Sequence, residues 1–155
     1  MTAPVAVVTI LRGRHDHLAG QIRGLRRQTR GPDTYVVVAI DDPAAHDVAR
    51  ELAPAGWDVR TPLCRRRDGR MPLSTARNLG AATAIDAGAE HLVFLDVDCI
   101  PNPTLVRRYG EILANAPDEG GPRVACGDVA YQLPPPSGGT SALTGDRVRH
   151  HPARP

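Results

Sequence analysis

The sequence predicts an α/β fold, a Rossmann-like three-layer domain built on a mostly parallel sheet. Three observations lead there. Apolar runs without internal Gly or Pro recur at 5–11 (VAVVTIL), 34–40 (TYVVVAI) and 91–97 (HLVFLDV), the pattern of strands covered on both faces. Between them lie segments of about 10 to 15 residues with apolar side chains three and four apart, the length of crossover helices. Acidic and basic residues gather just after the runs, where an open parallel sheet binds ligands, and the fixed hand of such crossovers makes three layers the economical topology.

The elements follow in order. After the first run, RGRHDHL turns into a helix whose Leu18, Ile22, Leu25 and Gln28 share a face, and Gly31 and Pro32 stop it. The second run ends in Asp41 and Asp42, with Asp42 as N-cap and Pro43 as first residue of a helix to about Ala53. WDVRT at 57–61 is a short third strand, and 62–72, PLCRRRDGRMP, reads as a loop. A helix over 73–87 ends at a glycine cap, Gly88. The strand 91–97 follows, then Asn102 and Pro103 start a helix through TLVRRYGEIL, and PRVACGDVAY supplies a fifth strand near 123–131. From Leu133 onward five Pro and three Gly in 23 residues end the pattern, so 1–132 is read as the α/β domain and 133–155 as a Pro/Gly-rich loop or linker.

Composition narrows the function. The 155 residues suffice for one domain with a hydrophobic core. All 19 basic residues are Arg, set against 17 acidic ones for a net charge of +2, a balance that speaks against a dedicated nucleic-acid binder. Three cysteines without a CxxC pair, no basic leader and no apolar stretch near the ~20 residues of a membrane span lead to the expectation of a cytoplasmic protein without a transmembrane segment. The six His form no zinc pattern. There is no G-x-S-x-G, no G-x-G-x-x-G after the first strand and no P-loop lysine.

What remains is the set of charged residues at the strand ends. Asp96 and Asp98 in FLDVDCIP would face the same way if the strand ran on to 98. Two such carboxylates repel, and a divalent cation relieves that repulsion. One or two carboxylates completed by water and phosphate suit Mg2+ or Mn2+. The same pattern also fits a solvated turn with an Asx cap. Arg12, Arg14 and His15 follow the first strand, and RGRH there fits either a diphosphate cradle or a solvated face. CRRRDGR at 64–70 reads as solvated. Arg77 sits in the first turns of its helix, at the positive end of the dipole, so it calls for an acidic partner or a ligand.

Taken in order, VAVVTILRGR, VVVAIDD, PLSTARNLGAA and LVFLDVDCIPNP resemble the family 2 glycosyltransferases of the GT-A fold, over residues 5 to about 116. The resemblance implies transfer of a sugar from a nucleotide-diphosphate donor, UDP or GDP, to an acceptor hydroxyl, with inversion and with Mn2+ or Mg2+. It implies that Asp42 or Asp41 binds the donor's base and that the backbone around Thr9 to Leu11 brackets base and ribose. Arg77 and Asn78 match the family's ARN and would line the nucleotide pocket. Asp96 would lie near ribose or metal, with Asp98 as the direct metal ligand. Arg12 and Arg14 stand where the family commonly has Pro-Thr, and are retained as nucleotide-binding candidates. Nothing after Tyr131 resembles the family's later acidic segment, so the resemblance implies a chain lacking the C-terminal half of the fold. The catalytic base is then expected beyond Pro155, and exposed apolar surface would favour a homodimer. A sugar nucleotidyltransferase and a non-catalytic or truncated nucleotide-binding partner domain are the alternatives; the first fits poorly because RGRHDH is a poor Gly-rich phosphate loop.

Overall fold

The computed structural model describes residues 3–66, 69–117, 121–132 and 148–150. The chain divides into two compact units, Met1–Arg123 and Val124–Pro155. The elements are β1 (Val5–Leu11), α1 (His15–Leu25), β2 (Thr34–Ile40), α2 (Ala44–Leu52), β3 (Asp58–Arg60), β4 (Leu63–Cys64), α3 (Leu73–Asp86), β5 (His91–Phe94), α4 (Leu105–Asn115), β6 (Ala130–Gln132) and β7 (Val148–His150). The fold of the first unit is α/β with a parallel sheet, in keeping with a Rossmann-like arrangement. Among the described residues no helix is long and apolar enough to cross a membrane.

The sheet runs β3-β2-β1-β5, with β4 also on β2, and every pair in it is parallel. All seven residues of β2 are buried, which is why that run is apolar without alternation. One face packs Leu18, Ile22 and Leu25 of α1, Ala45 and Ala49 of α2 and Val106 of α4 against Val5, Val7 and Val37. The other packs Ala76 and Ala84 of α3 against Ala6, Val8, Val36 and Val38. The three expected layers are therefore present.

Glycine 80 sets how closely α3 lies on the sheet. A Cβ built there would stand 2.5 Å from Val8 Cγ1 and 3.0 Å from Val38 Cγ2, so the helix backbone rests directly on two buried valines. The end of α3 also follows expectation. Gly88 has φ +89°, its N–H donates to Ile85 O at 2.8 Å, and the Ala89 N–H donates to Ala84 O at 3.0 Å. This pair of bonds is the Schellman arrangement, which a left-handed glycine permits.

Several boundaries differ from expectation. The strand drawn to residue 97 stops at Phe94; Leu95 still donates to Val8 O, but the Cys99 N–H then donates to Asp96 O at 2.8 Å and closes a turn. The segment read as a loop from 62 begins with β4, registered on Ala39 and Ile40. Pro62 has no N–H to give, which an edge tolerates, and its carbonyl accepts from the Ala39 N–H. Pro43 occupies the N-cap place of α2, one residue later than expected, and the Asp42 carboxylate before it accepts from the Gly13 N–H. The fifth strand expected over 123–131 does not join the sheet. Residues 121–129 have no regular structure and Val124 is 86% exposed. An apolar residue that buries nothing does not hold a strand in a core, and Pro122, Gly127 and Asp128 oppose one.

In the second unit β6 pairs antiparallel with β7, Tyr131 opposite Arg149. Most of the expected Pro/Gly-rich linker, 133–147 and 151–155, lies outside the described residues.

Candidate functional site

Because β1, β2 and β5 are parallel, their carboxyl ends and the loops that follow, near residues 12–14, 41–43 and 95–99, share one edge of the sheet. Two adjoining clefts open there. The first, about 310 Å³, is lined by Ile10, Leu11, Arg12, Arg14 and Ile40, by Met71, Leu73 and Arg77 at the start of α3, and by Asp96, Val97 and Asp98. The second, about 420 Å³, is lined by Arg12, Gly13, Asp41 and Asp42. Arg12 borders both.

The acidic turn is held in the first cleft by its neighbours. Val97 is buried in the core, so the residues on either side of it turn outward. Arg77 Nη2 lies 3.2 Å from Asp96 Oδ1, and Arg14 Nη1 lies 2.9 Å from Asp98 Oδ2. The acidic partner that an arginine in the first turns of α3 requires is therefore Asp96. Both pairs are open to solvent, with the Asp96 and Asp98 side chains 69% and 49% exposed; they bring little stability and leave the charges available to a ligand. Cys99 beside them has its thiol pKa raised, by burial and then by the charges of Asp98 and Asp96.

The second cleft is a different environment. The Asp42 side chain is only 11% exposed; it accepts from the Gly13 N–H at 2.7 Å and lies 2.9 Å from His15 Nε2. Burial pushes its carboxyl pKa up, but the bonds from His15 and Gly13 outweigh that and the net shift is downward. Asp41 is bonded to Arg66 through the backbone N–H at 3.3 Å and Nε at 2.9 Å, and these bonds lower its pKa. Arg14 (φ 55°) and Asp41 (φ 48°), the two non-glycine residues with left-handed backbone among those described, both border the clefts. Such conformations gather at functional loops, where the surroundings hold them.

Of the residues singled out in the sequence, Leu11, Arg12, Arg14, Arg77, Asp96 and Asp98 meet in the first cleft, and Asp41 and Asp42 meet in the second. Thr9 and Asn78 line neither. Thr9 is 1% exposed, with Oγ1 unpartnered; it shares a face of β1 with Leu11, which lines the cleft, but lies two residues further from the carboxyl edge. Asn78 is exposed, about 100° around α3 from Arg77. Asp42 is occupied in holding the 12–15 loop. Two residues behind the site, Gln21 and Gly24, went unnoticed in the sequence, and Arg66, in the segment read as solvated, holds Asp41. Gln21 left a signal, as an amide in the apolar stripe of α1.

A cation here would depend on its ligand. Among the described residues no group of three His, Cys, Asp or Glu is placed to hold a metal ion. Asp96 and Asp98 offer only oxygens, which is the donor type of Mg2+ and Mn2+ sites that complete their shells with water and substrate phosphate. The donor set fits such an ion in company with a phosphate, and does not form a cage for a metal alone.

A pH prediction follows from Asp42. Its folded pKa lies below the ordinary value of about 3.9, so its contribution to stability is fully present above that value and is lost as pH falls through the folded pKa. Denaturant titrations between pH 2 and 6 are expected to show a loss of stability below about pH 4 that Asp42→Asn flattens; equal slopes for the two proteins would contradict it. At neutral pH Asp42→Ala, which leaves the Gly13 N–H without its partner, is expected to cost about 1–3 kcal/mol.

No protein-family model matches the chain, and no curated protein matches it significantly.

Proposed function

We propose that the α/β unit is the nucleotide-diphospho-sugar-binding portion of a metal-dependent, inverting glycosyltransferase of the GT-A type, with UDP or GDP as the donor's carrier. The observation that carries this reading is the meeting of Asp96 and Asp98 with Arg12, Arg14 and Arg77 in one cleft at the carboxyl edge of a parallel sheet. Three guanidiniums beside two exposed carboxylates suit a dianionic diphosphate with a divalent ion between.

On this reading Asp98, with Asp96, would hold Mg2+ or Mn2+, and the ion would supply Lewis-acid neutralisation of the charge that develops on the departing nucleoside diphosphate. Arg14 and Arg77 exchange their carboxylate partners for phosphate oxygens, which their fork geometry accommodates. Ile10, Leu11, Ile40 and Met71 give the same cleft an apolar wall for the flat face of base or sugar. The attacking group is an acceptor hydroxyl.

A second reading, a nucleotide-binding partner domain that uses no metal, draws on the two ion pairs, which already neutralise both carboxylates. A thermal-shift panel of UDP, GDP, ADP and dTDP with and without Mn2+ separates the two. Stabilisation by one nucleotide that Mn2+ increases at least tenfold in apparent affinity supports the transferase reading; stabilisation indifferent to Mn2+ supports the second, and no response to any nucleotide removes both.

A further inference from the structure

Gln21 of α1 is fully buried, in a stripe with Leu18, Ile22 and Leu25. Its Nε2 donates to Asp96 O at 2.8 Å and lies 3.4 Å from Cys99 O, while Oε1 accepts from the Tyr35 hydroxyl at 2.8 Å. Carbonyls only accept, so the amide NH2 must face the turn and the phenol must donate to Oε1. Tyr35 is itself fully buried, and burial raises its pKa so that the phenol keeps its proton.

α1 and the segment that follows it continue to hold the chain beyond the turn. At Gly24 a Cβ would stand 2.8 Å from Pro101 Cδ and 2.9 Å from Ile100 Cγ2, so the loop lies against bare helix. Gln28 Nε2 donates to Asn102 O at 2.6 Å, and its Oε1 accepts from the Val106 N–H at 3.0 Å, at the start of α4. Leucine at 21 would bury similar area without needing partners. What an amide adds is direction: it holds the Asp96 carbonyl inward, with Val97 inside the core, and the two carboxylates are left pointing into the cleft.

We propose that Gln21, braced by Tyr35, is a positioning residue that sets the Asp96–Cys99 turn so that Asp96 and Asp98 act together on a cation-bound diphosphate. The placement rests on the hydrogen bonds; what the carboxylates bind rests on the function proposed above. Hydrogen exchange of the Cys99 amide, whose N–H closes the turn, reports the placement with no ligand present, and the Val37 amide in β2 reports global opening.

Gln21→Leu, which also leaves the buried Tyr35 hydroxyl without its acceptor, is expected to lower Cys99 protection roughly tenfold more than it lowers Val37 protection. Tyr35→Phe is expected to lower Cys99 protection to a smaller degree, and in the Gln21→Leu background to leave the Cys99-to-Val37 ratio unchanged, since it acts on the turn through Gln21. In binding assays Gln21→Leu should reduce the Mn2+-dependent gain in UDP or GDP affinity and spare the metal-free affinity, a split that a general loss of stability would not produce. Unchanged Cys99 exchange, or an equal loss at Cys99 and Val37, overturns the positioning role. Failure of the wild-type protein to bind any nucleotide with Mn2+ overturns the transferase reading alone, and the exchange result then decides the placement by itself.

Discussion

Gly80→Ala is expected to destabilise the α/β unit by about 2 kcal/mol, although alanine is the better helix former by about 1 kcal/mol. The new methyl would sit 2.5 Å from Val8 Cγ1 and 3.0 Å from Val38 Cγ2, both buried in the sheet. A β-branched side chain has few rotamers to retreat into, so α3 must lift. Arg77, one turn before Gly80 on that helix, would then be drawn from Asp96 and from the first cleft. Urea midpoints of the wild type, Gly80→Ala, Val8→Ala and the double variant measure this directly. Removing Cγ1 of Val8 should make the double variant more stable than the sum of the single losses predicts. A Gly80→Ala midpoint at or above the wild type would show that the close approach of helix to sheet is not needed.

Asp98→Ala is expected to abolish the metal-dependent part of nucleotide binding. With ligand at a hundred times its dissociation constant, binding adds about 2.7 kcal/mol to stability; a hundredfold weaker affinity leaves about 0.4 kcal/mol, a difference that thermal shifts resolve. The variant also releases Arg14 from its 2.9 Å ion pair, so metal-free affinity for the nucleotide should hold or rise. Arg14→Ala should instead weaken binding with and without Mn2+, because its guanidinium is assigned to phosphate and not to the ion. Equal loss in both variants under both conditions would contradict that division of roles.

The edge on which the charged residues lie was legible in the sequence because it rests on two strong rules. Unbroken apolar runs such as TYVVVAI mark strands covered on both faces, and parallel strands deliver the residues after them to one edge. Arg12, Arg14, Arg77, Asp96 and Asp98 accordingly line one cleft at that edge, while Asp41 and Asp42 line the other. Thr9 and Asn78 do not line that cleft, because Thr9 lies two residues back from the edge that Leu11 reaches and Asn78 is turned about 100° around α3 from Arg77.

The apolar patterning of the chain determined the layers, the parallel order of elements and the edge on which the charged residues lie, since burial of each run depends mostly on its own composition. Tertiary structure decided the rest. It ended β5 at Phe94, where the Asp96 carbonyl finds Cys99 and Gln21 in place of a ladder partner. It placed Asp42 under Gly13 and His15 and paired Asp41 with Arg66, outside the cleft that holds Asp96 and Asp98. Hydrogen bonds between residues 25 to 84 positions apart have no periodicity to be read along the chain; their geometry exists only once the helices have packed on the sheet.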